Sequence, residues 1–373
     1  MTKTIFLFLK NSLFISDLLK TNYIKELAKK YRVVVFSSVP DPKIGVEHIQ
    51  WKVQNPKLFS VTKFLRTACL HEFDDVSSLR SYYKSPAFLN FRRAKLARLL
   101  SWPFAKLLTV NFFEKLEMFF MGRSKIFEEY CRKYKPALIM VATPGIQVFD
   151  AEAILLGRKY GIPTLATNLS WDNLTSFKCV RFRRPDYIFV WNEVLKEAAI
   201  RIHNVSPDRV FVAGSMRFDR YFDKSYQLPS REEFLKSKGL NPKHKTILFA
   251  TGGRSPSQRG FLEKILDARS RGDIEYTNIL IRPHPFDVYD NYLEASKAPG
   301  VYLDKPVKEM SREDFINLKA TLAYTDLNIN YKSTISLESF LFDKPVINFI
   351  DPVLPFQNNA YFDETSYYHP PIR

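Results

Sequence analysis

Two stretches, Thr277-Asn-Ile-Leu-Ile-Arg-Pro-His-Pro285 and Tyr331-Lys-Ser-Thr-Ile-Ser-Leu-Glu-Ser-Phe-Leu-Phe-Asp-Lys-Pro-Val-Ile-Asn348, decide the fold of this chain. Each couples an apolar, β-branched run to polar residues. Thr277 to Ile281 reads as a strand that stops on Arg282-Pro283-His284-Pro285. Ser333, Thr334 and Ser336 precede an apolar helix, Leu337 to Phe342, and Asp343-Lys344-Pro345 leads into another strand, Val346 to Ile350. Strand and helix alternating in this way make an α/β unit with a parallel sheet. Such units hold phosphates at strand ends and helix N-termini. A basic pair at one strand end and hydroxyls at a nearby helix start would form a phosphate or diphosphate cradle. That points to a nucleotide-activated donor and to transfer chemistry.

The same alternation runs through the rest of the chain. Thr4 to Leu9, Val33 to Ser37, His48 to Val53, Ala137 to Ala142, Thr164 to Asn168, Asp186 to Trp191 and Val210 to Ala213 read as strands. Helical patterns separate several of them: Ser16 to Tyr31, Asp150 to Tyr160 before the capping Gly161, and Glu193 to His203. The apolar start, Met1 to Phe14, is interrupted by Lys10 and Asn11 and fits a first parallel strand better than a leader. No apolar run is long enough to span a bilayer. A polar segment rich in Lys, Ser and Pro, 224–245, reads as a linker, with a short helix at Arg231 to Lys238. A second series follows: Thr246 to Ala250, a glycine loop at Thr251-Gly252-Gly253-Arg254, a helix at Phe261 to Arg271, and strands at Asn278 to Ile281 and Leu327 to Asn330. At 373 residues and 46% hydrophobic content the chain suits two folded domains. The expected division is 1–223, 224–245 as linker, and 246–373.

Here the residues carry a family resemblance. Arg282-Pro283-His284-Pro285, Ser333-Thr-Ile-Ser-Leu-Glu338 and Asp343-Lys-Pro-Val346 resemble the C-terminal domain of bacterial surface-polysaccharide glycosyltransferases of the capsule and lipopolysaccharide type. They are also similar to CDP-glycerol glycerophosphotransferases and to sialyl- and Kdo-transferases with an HP motif. Ser170-Trp-Asp-Asn-Leu-Thr-Ser176, Asp186 to Asn192 and Val212 to Asp219 look like the same group. The resemblance implies the GT-B fold: two Rossmann-like domains facing across a cleft. It implies a nucleotide-sugar donor (CMP-, CDP- or UDP-linked), an acceptor glycan on a lipid carrier, and no metal or separate cofactor. GT-B chains usually continue past the last strand with helices. Little follows Ile350 before Arg373, so the second domain reads as truncated or the chain as a fragment.

The resemblance also assigns roles. His284 would donate to a donor phosphate, where an ordinary strand-end histidine would cap a carbonyl. Arg282 would set a positive charge beside that phosphate or form an ion pair. Ser333, Thr334 and Ser336 would bind phosphate or cap the helix, and Glu338 would hold ribose hydroxyls or pair with the helix dipole. Gly252, Gly253 and Arg254 would let the backbone approach a ligand, or form a plain turn. In the first domain Asp172 is the candidate general base, against an Asx turn with Asn173. Ser170, Trp171, Asn173 and Arg217 are expected on the acceptor side. Asp150 and Glu193 are the next acidic candidates. An epimerase of the UDP-N-acetylglucosamine 2-epimerase type, or a non-catalytic assembly protein, would suit the same fold.

The formal charge is +17 and the pI about 9.6, which draws the chain to polyanions. The effect concentrates in a helical insertion at about 80–135, with Arg92, Arg93, Lys95, Arg98, Lys106, Lys115, Arg123, Lys125, Arg132, Lys133 and Lys135. Phe88, Phe91, Trp102, Phe104, Phe112, Phe113, Phe119 and Phe120 are interleaved with them. This mixture suits an anionic membrane surface; a helical hairpin with buried aromatics is the plainer alternative. No DNA- or RNA-binding module is legible, so nucleic acid is not an expected partner. Cys69, Cys131 and Cys179 lack metal-ligand spacing, and their small, odd number suits a reducing cytosol. The expected location is cytoplasmic, peripheral on the inner face of the cell membrane.

Overall fold

The computed structural model describes residues 2–10, 21–40, 45–84, 86–252, 257–285, 287–307, 311–331 and 333–349. The chain divides into two compact units that separate between Arg217 and Phe218.

The first unit contains strands β1 (Thr4–Leu9), β2 (Arg32–Ser37), β3 (Glu47–Gln50), β4 (Pro136–Val141), β5 (Thr164–Ala166), β6 (Tyr187–Val190) and β7 (Val210–Val212). They form one all-parallel sheet in the order β3-β2-β1-β4-β5-β6-β7. The opening apolar run is β1, near the middle of the sheet. Its residues are buried on both faces, as expected of an inner parallel strand. On one face Ile5, Leu7, Val33, Val35 and Met140 share a core cluster. On the other, Phe8 stacks on Phe36 at 4.6 Å between centroids, with the Trp51 edge against both. β3 begins and ends earlier than the sequence suggests. Trp51 leaves the strand and buries its indole, whose Nε1 donates to Glu152 at 2.9 Å.

Helix α1 (Tyr23–Lys30) precedes β2. Among the described residues, six α-helices then lie between β3 and β4: α2 (Pro56–Cys69), α3 (Ser77–Lys84), α4 (Pro86–Leu89), α5 (Arg92–Ser101), α6 (Val110–Met121) and α7 (Lys125–Tyr134). The insertion therefore begins at Pro56, which opens α2 at its first turn, rather than near residue 80. Helix α8 (Val148–Tyr160) follows β4, and α9 (Glu193–Arg201) follows β6. A buried ion cluster fastens the insertion to the Rossmann-like body. Arg66 of α2 donates to the Phe182 carbonyl at 3.0 Å and to Glu117 of α6 at 3.3 Å, while Arg183 holds Glu117 through Nε and Nη2 at 3.2 and 2.5 Å. Arg183 also packs over Gly145 in the β4–α8 turn; a Cβ there would lie 2.9 Å from Arg183 side-chain carbons, and Gly145 has φ +77°.

The second unit contains α10 (Asp219–Phe222), α11 (Arg231–Ser237), β8 (Lys245–Ala250), α12 (Ser257–Ser270), β9 (Thr277–Arg282), β10 (Val301–Leu303), α13 (Arg312–Tyr324), β11 (Leu327–Asn330), α14 (Ile335–Phe340) and β12 (Val346–Asn348). Its sheet is all-parallel in the order β10-β9-β8-β11-β12. The segment read as a linker belongs to this unit. Tyr226, Phe234, Leu235 and Leu240 are buried in one cluster with Leu248, Phe315 and Leu322, and a Ser230–Glu233 capping box starts α11. Its polar composition comes from the exposed positions between these anchors.

Candidate functional site

Strand registers place Arg282, Ala250, Asn330 and Asn348 in one row across β9, β8, β11 and β12. Leu303 of β10 pairs with Ile281, so Asp304 continues the row. This is the C-terminal edge of the second sheet. The connections diverge to opposite sides between β8 and β11, the switch point at which open α/β sheets place their ligands.

Thr251 and Gly252 leave β8 at this point. The Thr251 amide donates to the Arg282 carbonyl at 3.1 Å, and Thr251 Oγ1 accepts the His284 amide at 2.8 Å. The expected HP segment is thereby tied to the β8 loop. The His284 imidazole is half-buried. Burial lowers its pKa, with Asp287 pulling in the opposite direction. At neutral pH it is a neutral ring, able to donate one N–H to an anion but carrying no fixed charge. Gly252 sits under Tyr331: a Cβ would come within 3.0 Å of the ring. Gly253 and Arg254 lie outside the described residues.

Arg282 is not left facing an anion with an unbalanced charge. Its guanidinium pairs with Asp304, both side chains nearly buried, and Asn317 adds a hydrogen bond to Asp304 at 3.1 Å. The arginine braces β9 against β10 and α13.

The Ser/Thr segment divides into two roles. Helix α14 starts at Ile335, earlier than expected, so Ser336 falls inside it; Glu338 lies in its first turn as expected. Ser336 is fully buried; its hydroxyl lies 3.0–3.2 Å from Asn330 and Asn348 side-chain atoms. Ser339 accepts from Asn328 at 2.7 Å. These serines dock α14 onto an asparagine ladder in β11 and β12. Ser333 and Thr334 remain half-buried in the loop, with the Ser333 amide donating to Asn330 Oδ1 at 3.0 Å. Glu338 is buried. Thr251 and the asparagine ladder were missed as site-forming residues, although the alternation of Asn328 and Asn330 along β11 is visible in the sequence.

In the first unit, Ser170, Trp171, Asp172 and Asn173 form a compact knot after β5. Lys178 Nζ reaches both Asp172 oxygens at 2.7 Å, and Ser170 donates to Asp172 Oδ1 at 2.6 Å. Asn173 Nδ2 donates to Asn168 Oδ1 at 3.1 Å, and Asn168 adopts φ +40°. Trp171, Asp172 and Asn173 are all buried. This is loop-shaping chemistry, so the expected base Asp172 is held as half of an ion pair. Arg217 is half-buried in the short 3₁₀ turn that ends the unit, and Glu193 opens α9 at the surface.

Asp150, offered only in reserve, is the more unusual carboxyl. It lies in the first turn of α8, beyond β4 at the β1/β4 switch point, and is fully buried. Thr143 Oγ1 donates to its Oδ2 at 2.5 Å, while Oδ1 has no hydrogen-bond partner among the described residues. Burial raises its pKa to about 7. A cavity of about 320 Å³ lies elsewhere in this unit, lined by Gln54, Asn55, Ser124 and Glu152. Among the described residues, no three His, Cys, Asp or Glu side chains gather as metal ligands.

This architecture is the two-domain α/β fold of GT-B type. Similar solved structures share it at low identity. A UDP-N-acetylglucosamine 2-epimerase from Neisseria meningitidis, bound to UDP-GlcNAc, matches with TM-score 0.55 and 13% identity over 94% of this chain and 83% of its own. A protein assigned as the same enzyme in Listeria monocytogenes matches with TM-score 0.56 and 10% identity over 94% and 80%. A glycosyltransferase from Rickettsia africae matches with TM-score 0.51 and 12% identity over 93% and 79%. No family model matches the chain, and no curated protein matches it in sequence.

Proposed function

We propose that the chain is a nucleotide-sugar enzyme that transfers a sugar from a nucleotide-activated donor to a surface glycan on a lipid carrier at the inner face of the cell membrane. One observation carries this reading: His284, Thr251, Gly252, Ser333 and Thr334 come from the loops after three strands that neighbour each other in the sheet, β9, β8 and β11, around the β8/β11 switch point. In this role the neutral His284 imidazole donates an N–H to a donor phosphate. That bond strengthens as the bond to the sugar breaks and charge builds on the phosphate of the leaving nucleotide. Ser333 and Thr334 add hydroxyl donors beside it, and Gly252 lets the Tyr331 ring pack against the same loop. The second unit would take the nucleotide and the first the acceptor. The GT-B resemblance implies that the donor is a substrate and that no separate cofactor is needed.

A second reading, epimerisation of a UDP-sugar, is favoured by the neighbours described as UDP-N-acetylglucosamine 2-epimerases, one of them bound to UDP-GlcNAc. A thermal-shift series with UDP, CDP, CMP and GDP tests the shared core of both readings. One nucleotide should raise Tm, and His284→Ala should reduce the shift while the variant remains folded. Turnover of UDP-GlcNAc without acceptor would select epimerisation; turnover only with a glycan acceptor would select transfer. A folded wild-type chain that binds none of these nucleotides would overturn both.

A further inference from the structure

The insertion has an inside and an outside of different chemistry. On α6, Val110, Phe113, Glu114, Glu117 and Met121 are buried at helical spacing, while Phe112, Lys115, Phe119 and Phe120 face outward. On α5, Ala94 and Ser101 are buried, and Arg98 lies over the Tyr83 ring at 3.7 Å. The opposite side of α5 exposes Arg92, Arg93, Lys95, Leu96, Leu99 and Leu100. Between these helices, Trp102-Pro103-Phe104 makes an exposed 3₁₀ corner. Trp102 is 71% exposed and Phe119 79%. Side chains of this size in water are not explained by packing.

Charge identifies what covers them. From Val76 to Phe113 the sequence has no Asp or Glu, and seven Lys or Arg: Arg80, Lys84, Arg92, Arg93, Lys95, Arg98 and Lys106. Of the insertion's carboxylates, Glu72, Glu114 and Glu117 are turned inward, onto the Val110 amide, Arg158 and the buried arginine pair; Asp74 pairs with Arg98 and Glu128 with Arg123, and Asp75 and Glu129 lie outside α5 and α6. Arg92, Arg93, Lys95, Lys106 and Lys115 are exposed and have no ion pair among the described residues. A second copy of this face would bring like charges together. Leu96, Leu99 and Leu100 on the same face would gain nothing from a nucleic acid's charged backbone. Leucines, a Trp-Pro-Phe corner and unpaired cations together suit acyl chains beneath anionic headgroups.

We propose that α5, the Trp102–Phe104 corner and α6 form a docking face for an anionic lipid bilayer, with the aromatic corner seated at the headgroup boundary. This does not depend on which nucleotide or reaction the second unit serves. The test is co-sedimentation of the full chain with phosphatidylcholine vesicles, with and without phosphatidylglycerol. Binding should require phosphatidylglycerol and weaken at high salt, and Trp102 emission should shift to the blue on vesicles. Arg92→Gln, Arg93→Gln and Lys95→Gln together should lower partitioning about 100-fold, at roughly one factor of five per charge near the surface. Trp102→Ser with Phe119→Ser should also lower it, and exposed positions leave the fold intact. A folded wild-type chain that ignores anionic vesicles would sink the proposal. So would equal binding to neutral vesicles, or a dimer in sedimentation that the Trp102→Ser, Phe119→Ser variant abolishes.

Discussion

The backbone N–H of His284 donates to Thr251 Oγ1 at 2.8 Å, so one hydroxyl sets the position of the loop after β9 against the loop after β8. The imidazole inherits its place from that bond.

Thr251→Val keeps the shape and removes the acceptor. The half-buried His284 amide then lacks its partner, at a cost of about 1–3 kcal/mol. We expect a lower urea midpoint and a smaller nucleotide-induced Tm shift, with Thr251→Ser restoring both. A Val variant as stable as wild type would show that the bond does not hold the loop.

Glu117→Gln should be the most damaging of the substitutions considered. It leaves Arg66 and Arg183 buried without their shared carboxylate, a loss on the order of 3–5 kcal/mol. The two arginines hold the Glu117 carboxyl below its usual range against the desolvation that opposes them. Its stabilisation is therefore present above the ordinary glutamate pKa and fades as pH falls. Denaturant titrations at several pH values check both the size and the slope.

Asp150 has the opposite sign. Burial raises its carboxyl from 3.8 to about 7, so the folded chain keeps a proton that the unfolded chain releases. Its contribution to stability is complete below pH 3.8 and is lost as pH rises through 7. Asp150→Asn should flatten that dependence and raise stability at pH above 7 by on the order of 1–4 kcal/mol. A steeper slope in the variant would contradict the assignment.

Asp172→Asn separates a loop brace from a base. Losing the charge opposite Lys178 should cost about 1–3 kcal/mol in stability. Turnover per folded molecule should stay far above the loss of two to four orders of magnitude expected of a missing general base.

Much of the fold was readable because inner parallel strands announce themselves. β1, β4 and β9 are short runs dominated by apolar and β-branched residues, and the expected bounds lie within a residue or two of the observed ones. The site was less readable, because a strand end shows which residues are near the edge and not which partner each one takes. Arg282 chose Asp304, and Asp172 chose Lys178. Ser336 turned inward because α14 starts two residues earlier than the hydroxyl cluster suggested. β10 and α13 went unnoticed, although Ser311 and Asp314 spell a capping box at the helix start. Arg66, Glu117 and Arg183 are far apart in sequence, and no local pattern foretells their meeting.

That cluster makes the insertion a bracket and not a tether. Helices α2 and α6 are bolted at Arg66 and Glu117 to the Phe182–Arg183 segment, and Arg183 in turn wedges against Gly145. Whatever grips the outer face of the bracket also fixes the tilt of the seven-stranded sheet behind it. Loosening the bolt would leave the exposed face of the insertion unchanged while letting its helices shift against the sheet.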